Sequence, residues 1–158
     1  MEAFEVQRNG FVISTDKARL DLPVIHAFLS ERSYWAIGRT LDLVLRTIEH
    51  SLCFGVYDGA AQVGFARVVT DYATFAWLCD VFVLEDYRGN GLSKWLVQTV
   101  VTHPGLAAVR RFLLATRDAH GLYERYAGFT PLQAPERWME RLAPGAQPTS
   151  SNVGLGST

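Results

Sequence analysis

The residue types best suited to chemistry lie together in the segment 85–93, which reads Glu-Asp-Tyr-Arg-Gly-Asn-Gly-Leu-Ser. This segment follows a strongly apolar run and precedes apolar residues at helical spacing, so we expect it to join a strand to a helix. The first amide groups of a helix have no partners inside the helix, and the helix dipole adds a positive potential there. The sequence therefore predicts an anion-binding site at this junction.

Three residues of this segment strengthen the prediction. Gly89 and Gly91 permit backbone angles and a close approach that other residues would block, and Arg88 adds a guanidinium suited to phosphate oxygens. The alternative is that the glycines only form a tight turn. Two known phosphate motifs are excluded, because position 94 is Lys where a dinucleotide fingerprint needs glycine, and no Gly-Lys-Ser/Thr ending of a nucleotide-hydrolase loop occurs.

The elements before this junction follow from apolar spacing and capping residues. A β-prone run at 11–15 precedes two helices, the first capped by Asp21 with Pro23 in its first turn, the second capped by Thr40. The third of the strands that follow is the most continuously apolar, which is typical of a strand inside a sheet. These three predicted strands are 51–57, 62–70 and 74–83.

The elements after the junction alternate between helix and strand. They are a helix from Leu92 that ends at His103, a strand at 112–116, a helix opened by Asp118 or the residues just after it, and an extended segment from Phe129 towards Trp138 and Met139. We expect Asp118 to cap the second of these helices. Helices, an antiparallel meander and then this alternation predict an α/β (α+β) domain in three layers.

Composition narrows the class of protein. The 158 residues carry 15 basic and 16 acidic side chains, so the basic surplus of a nucleic-acid-binding protein is missing. We expect one domain at 1–142 and a flexible tail at 143–158, where Pro, Gly, Ser and Thr dominate. No secretory signal or membrane span is evident, and two cysteines are too few for a disulfide scaffold or a cysteine zinc cluster. We therefore expect a cytoplasmic protein without a metal, a membrane or a nucleic-acid partner.

The segment 75–129 resembles the GNAT superfamily of acetyl-CoA-dependent N-acetyltransferases. One family signature is Arg or Gln, two residues, Gly, one residue, then Gly or Ala; Arg88, Gly91 and Ser93 stand at these positions, with serine in place of the usual last residue. The other is an aromatic helix before Gly-Phe, here Leu-Tyr-Glu-Arg-Tyr-Ala-Gly-Phe at 122–129, one residue longer than the common form. The resemblance implies a mixed, mostly antiparallel sheet flanked by helices on both faces.

The same resemblance implies that an amine attacks the thioester of acetyl-CoA directly. The pyrophosphate would lie on the glycine loop, and the pantetheine arm would lie beside the central strand, where a bulge in this family frees backbone groups. One such amide would polarise the acetyl carbonyl. The cofactor-binding residues implied in this way are Val81, Phe82, Val83, Arg88, Gly89, Asn90, Gly91, Leu92 and Ser93. For Val81, Phe82 and Val83 the alternative is plain packing in the core.

The leaving thiolate needs a proton, and the family match assigns this role of general acid to Tyr123. Tyr126 is the alternative, because the inserted residue can change which tyrosine faces the site. Both tyrosines can equally be aromatic residues that pack the helix.

The attacking amine must lose a proton to a carboxylate, a histidine or a chain of water. Asp80 interrupts an apolar strand, so it either lines a wet cleft or pairs with an arginine such as Arg67 or Arg117. His120 lies three residues before Tyr123, on the same helical face, and is the other candidate.

The loop between the first two helices usually selects the acceptor in this family, and here it contains Ser33, Tyr34 and Trp35. These aromatics either enclose an amine or cover the edge of the sheet. The acceptor is an amine of a small molecule or a peptide, its identity open, and a homodimer through the carboxyl-terminal strands would suit the family. The alternative function is a non-catalytic sensor or regulatory domain that binds acyl-CoA.

Overall fold

Residues 2–146 are described by a computed structural model, and their strands form one sheet in which neighbours follow chain order. All neighbouring strands are antiparallel except β5 and β6, which are parallel. This mixed, mostly antiparallel sheet with helices on both faces confirms the predicted fold class. The strands are β1 (Glu5–Arg8), β2 (Phe11–Ser14), β3 (Leu52–Asp58), β4 (Ala61–Thr70), β5 (Phe75–Val83) and β6 (Arg111–Leu114).

Helices α1 (Leu22–Ala27) and α2 (Leu41–Glu49) cover one face of the sheet, and α1 continues into a wider π-helical turn, Phe28–Arg32. Both predicted caps are confirmed. The carboxylate of Asp21 accepts a hydrogen bond from the Val24 amide at 3.1 Å, and the hydroxyl of Thr40 accepts one from the Leu43 amide at 3.3 Å.

Helices α3 (Leu92–Val101) and α4 (His120–Ala127) cover the other face. The apolar core is therefore split by the sheet into two clusters. The α1–α2 cluster includes Ile25, Val44 and Phe65, whereas the α3–α4 cluster includes Phe54 and Leu96. The strands between them are buried on both sides, as the apolar run of β5 predicted.

The helix cap predicted at Asp118 is wrong. Ala119 precedes α4, and its amide donates to the hydroxyl of Thr116 at 3.0 Å, while the carboxylate of Asp118 lies 3.5 Å from the guanidinium of Arg117. The Thr116 hydroxyl therefore holds the turn before α4, and no side chain among the described residues caps the first turn of the helix.

The extended segment predicted from Phe129 does not form a strand within the described chain. Pro131 and Pro135 each lack an amide hydrogen, and Pro135–Arg137 forms a single 3-10 turn. Strand β6 is therefore an edge of the sheet in residues 2–146. The homodimer expected through carboxyl-terminal strands stays a prediction.

Residues 147–158, which make up most of the predicted tail, lie outside the described residues. In the part of the chain from 2 to 146, no helix has both the length and the apolar character that a membrane span requires.

Candidate active site

Strand β5 contains a bulge, in which Asp80 and Val81 together lie opposite Ala66 of β4. Asp80 has a φ of 52°, a left-handed conformation that is uncommon for a residue other than glycine. The extra residue reverses the alternation of side chains, so Leu78 before the bulge and Val81 after it both point into the α3–α4 cluster. The bulge therefore changes which groups of β5 face each side of the sheet.

The two parallel strands separate next to this bulge. Their pairing runs from Phe75 and Arg111 to Leu78 and Leu114, where β6 ends, whereas β5 continues to Val83. On its other edge, β5 remains paired with β4. Within residues 2–146, the last part of β5 thus has one edge that no strand covers.

The side chains around this open edge are used for packing. Val81 and Val83 are buried in the α3–α4 cluster, and the ring of Phe82 stacks on Phe28 with centroids 4.0 Å apart. The sequence left two readings for these residues, packing and backbone contacts to a ligand. The structure shows the packing, and no strand in residues 2–146 pairs with their backbone on the β6 side.

The glycine loop lies at the end of β5 and leads into α3. A 3-10 turn, Glu85–Tyr87, is followed by Gly89 with a φ of 87° and by Gly91 with a φ of 72°, and Gly91 caps the helix. The side-chain amide of Asn90 donates to the carbonyl of Tyr87 at 2.9 Å and so closes the loop. A Cβ atom at either glycine would meet nothing within 4 Å, so open space borders the backbone.

A cavity of about 310 Å³ lies over this loop. Arg88 contacts Glu85 only at 4.0 Å, and the ammonium of Lys94 lies 5.0 Å from the ring centroid of Tyr126. A helix start, two left-handed glycines and two cations around open space fit a phosphate group. The lining residues are Val83, Tyr87, Arg88, Gly89, Gly91, Leu92, Ser93 and Lys94.

Lys94 is a residue whose possible role the sequence reasoning missed. In the sequence, Lys94 served only to exclude a dinucleotide fingerprint. Its position could have indicated an anion-binding role, because a basic residue stands here in the first turn of a helix that follows a glycine loop.

Tyr123 lies on α4, and its ring packs in the α3–α4 cluster. Its side chain is 2% exposed, and burial raises its pKa, with smaller effects from the nearby Tyr34 and Cys79. Its hydroxyl makes no hydrogen bond to another residue in the 2–146 range. Among those residues the hydroxyl of Tyr57 is the one fully buried side-chain polar atom without a partner, so the Tyr123 hydroxyl reaches solvent-accessible space.

The other candidates on α4 occupy different positions. Tyr126 is half-buried and packs under Lys94, near the glycine loop and not beside the bulge. His120 is exposed and lines a cavity of about 380 Å³ together with Tyr123, Thr116 and Glu124. The cavity brings His120 and Tyr123 together, whereas Tyr126 does not line it.

Asp80 is 1% exposed and sits in an ion cluster. Its Oδ2 accepts hydrogen bonds from Arg39 Nη1 and Arg67 Nε, both at 2.8 Å, and its Oδ1 accepts one from Trp35 Nε1 at 2.9 Å. Of the two alternatives left open for Asp80, the structure shows the pair with an arginine, and that arginine is Arg67. Arg117 contacts a different partner.

Arg39 and Trp35 were not anticipated as partners of Asp80. A buried carboxylate requires hydrogen-bond donors, so the sequence predicted that Asp80 needs such partners. It did not predict that Arg39 is one of them, because Arg39 lies 41 residues away in an irregular loop.

The loop between α1 and α2 approaches α4 through Tyr34. The guanidinium of Arg117 lies 3.7 Å from the centroid of the Tyr34 ring, and the backbone of Arg117 hydrogen-bonds to its phenol. Trp35 packs edge-on against Tyr34 at 5.1 Å. Ser33, by contrast, is buried, and its hydroxyl donates to the Leu29 carbonyl at 2.6 Å, so this side chain supports the loop itself.

Three comparisons with known proteins agree on the family. The profile of the Acetyltransferase (GNAT) family matches residues 22–129. A protein of Gibberella zeae, FG08082, whose name marks it as a candidate acetyltransferase, is 30% identical over 141 residues, covering 77% of this chain and 80% of its own.

Solved structures give the same result. A Xanthomonas campestris pv. campestris protein assigned to the GNAT family is 53% identical, with a TM-score of 0.83 over 88% of this chain and 97% of its own. A Deinococcus radiodurans protein at 18% identity, with a TM-score of 0.64 over 86% of this chain and 92% of its own, supports the fold alone. The chain therefore belongs to the GNAT family of acetyltransferases.

Proposed function

We propose that this enzyme transfers an acetyl group from acetyl-CoA to an amine of a small molecule or a peptide by direct attack. The observation that carries the proposal is the hydroxyl of Tyr123, which has no partner among residues 2–146 and belongs to a side chain that lines a cavity between β6 and α4. The glycine loop at the end of β5 supports a site for the diphosphate of the donor.

Donor binding would use backbone groups more than side chains. The amides of Gly89 to Ser93 would meet the pyrophosphate, with Arg88 and Lys94 adding positive charge beside it. The open edge of Val81–Val83 would hydrogen-bond to the amides of the pantetheine arm. The fit is supported by the empty space beside Gly89 and Gly91, which a side chain at either position would occupy.

The transfer forms one bond to the acetyl carbon and breaks another. The lone pair of the amine forms a bond to the acetyl carbon, a backbone N–H of β5 stabilises the charge that develops on the carbonyl oxygen, and the carbon–sulfur bond breaks. The departing sulfur takes a proton from the hydroxyl of Tyr123. The products are an acetamide and the free thiol of CoA, and the proton lost by the amine restores Tyr123 through solvent.

Removal of the proton from the acceptor is assigned to His120, which is exposed and lines the same cavity as Tyr123. Asp80 is a positioning residue in this proposal. Its carboxylate is already committed to Arg39, Arg67 and Trp35, so accepting a proton would disrupt two ion pairs at once. These contacts support a role in holding the bulge against the α1–α2 loop.

The deciding experiment follows thiol release from acetyl-CoA with a panel of primary amines. We expect thiol release that depends on both the enzyme and one class of amine, and formation of the acetylated amine by mass spectrometry. If CoA raises the Tm but no amine releases thiol, the protein is instead an acyl-CoA sensor and the enzymatic proposal fails.

A reducing compartment, the cytoplasm, is the proposed location. Cys53 and Cys79 are both free thiols in buried positions. Fractionation of cells that produce the protein tests this, and recovery outside the cytoplasm would contradict it.

A further inference from the structure

The ion cluster around Asp80 contains more positive than negative charge. Two guanidiniums, those of Arg39 and Arg67, share one carboxylate oxygen at 2.8 Å each. Their side chains are only 18% and 12% exposed, so water neutralises little of their charge. The cluster therefore retains one unit of positive charge in a largely buried position.

Neighbouring groups do not remove this surplus. The thiols of Cys53 and Cys79 lie close to Arg67, but burial raises their pKa values to about 11 and about 12. Both thiols are therefore uncharged at neutral pH. The hydroxyl of Ser51, which accepts a hydrogen bond from Arg67 Nη1 at 3.1 Å, is also neutral.

The two arginines also have hydrogen-bond donors left over. Arg39 uses Nη1 for Asp80, and Arg67 uses Nε and Nη1, so Nε and Nη2 of Arg39 and Nη2 of Arg67 have no acceptor among residues 2–146. None of these nitrogens is a fully buried atom without a partner. Each of them therefore keeps some contact with solvent-accessible space.

The position of the cluster connects it with the reaction. Asp80 is the bulged residue directly before Val81, where the open edge of β5 begins. Trp35, which donates to the same carboxylate, contacts Tyr34, and Tyr34 is close enough to Tyr123 to influence its pKa. The surplus charge thus lies on the α1–α2 side of β5 and is connected to Tyr123 through Trp35 and Tyr34.

We propose that the acceptor carries a carboxylate near its amino group, as an amino acid does, and that the unused donors of Arg39 and Arg67 bind this carboxylate. Guanidinium donors match the two oxygens of a carboxylate, and its single negative charge balances the single positive surplus, which a phosphate would exceed. This inference rests on the proposed amine acetylation and narrows its substrate class.

The test compares amino acids with their carboxamides, because the amide keeps the size and removes the negative charge. Since the amide also lowers the pKa of the amino group, kcat/KM is referred to the concentration of neutral amine in each case. For the preferred side chain, we expect kcat/KM for the acid to exceed that for the amide by about tenfold or more, mainly through KM. Equal values, or a preference for the amide, would overturn the inference. Absence of thiol release with every amine would instead reject the proposed function itself.

A variant links the preference to the cluster. Arg39→Gln removes the surplus charge and leaves Asp80 paired with Arg67, so the ratio of acid to amide kcat/KM should fall about tenfold. Arg46→Gln is the matched control, since Arg46 is an exposed arginine on α2 without an ion pair among residues 2–146, and its ratio should equal that of the unmodified enzyme. An unchanged ratio in Arg39→Gln would assign the preference to another site and refute the role of the cluster.

Discussion

The hydroxyl of Tyr123 combines two properties that rarely occur together in a folded protein. The ring is buried against Phe129, with centroids 5.9 Å apart, yet the hydroxyl has no hydrogen-bond partner in the 2–146 range. Burial raises its pKa, so the phenol keeps its proton over the neutral range. A phenol that keeps its proton at neutral pH is available to protonate a departing thiolate, and the raised pKa favours the return of a proton to the phenolate afterwards.

Replacing Tyr123 with Phe should lower kcat about a hundredfold, because the departing sulfur would lose its proton donor. The Kd of CoA and the Tm should change little, since the removed hydroxyl bonds to no described residue. Steady-state kinetics with calorimetry of CoA binding measure both. Tyr126→Phe is the matched control and should retain kcat. If kcat instead falls in Tyr126→Phe and is unchanged in Tyr123→Phe, Tyr126 is the general acid.

At the scale of residues, the sequence predicted that a buried polar side chain needs partners, but it predicted less well which residues those partners are. Asp80 in an apolar strand required a cation or a wet cleft, and Arg67, which the structure places on the adjacent strand, was among the candidates. Arg39 and Trp35 come from an irregular loop, and no periodicity links them to β5. The choice between Tyr123 and Tyr126 depended on the rotation of α4, which the extra residue before Gly128 made unreadable.

Among the elements, capping residues were the most reliable signals. Asp21 and Thr40 cap their helices as predicted because each precedes an apolar helical stripe directly. Strand β1 was missed although Asn9 and Gly10, with φ values of 50° and 83°, form a turn that is typical of hairpins. The bulge was unreadable from these residues alone, because Cys79, Asp80 and Val81 are all buried and hide the change in alternation.

The junction of β5 and α3 depends on Gly91 for its backbone angle and for its missing side chain. Gly91→Val should weaken CoA binding at least about a hundredfold, because its side chain would enter the space left for phosphate and because a β-branched residue disfavours a φ of 72°. Isothermal calorimetry measures this effect.

The strain of that substitution needs its own control. Gly59 has a φ of 58° in the turn between β3 and β4 and does not line the cavity over the loop. Gly59→Val should therefore lose a similar amount of stability, roughly 1–2 kcal/mol, and keep its affinity for CoA. If both variants keep the CoA affinity of the unmodified protein, the phosphate site is rejected. If both lose CoA affinity to the same extent, the effect of Gly91→Val is due to strain.

On the scale of the whole molecule, His103 connects the end of α3 to the sheet. Its imidazole is buried between Phe4 and Phe54, with ring centroids at 4.9 and 5.5 Å, and its Nδ1 accepts a hydrogen bond from the amide of Gly105 at 3.0 Å. Burial lowers the pKa of His103 below its ordinary value of 6.5. Folding therefore favours the neutral ring, and protonation would also break the bond to Gly105.

This lowered pKa makes the stability of the fold depend on pH in a defined direction. Below pH 6.5, the unfolded chain binds a proton at His103 that the folded chain resists, so stability is complete above this pH and falls as the pH decreases through it. The Tm should therefore drop between about pH 7.5 and 5.5, a range in which ordinary carboxylates stay ionised. His103→Asn retains an acceptor for the Gly105 amide but cannot titrate, so its Tm should be lower overall and nearly flat over this range. His50→Asn removes an exposed imidazole and should show the same dependence of Tm on pH as the unmodified protein. If that dependence persists in His103→Asn and disappears in His50→Asn, the buried ring of His103 is not its source.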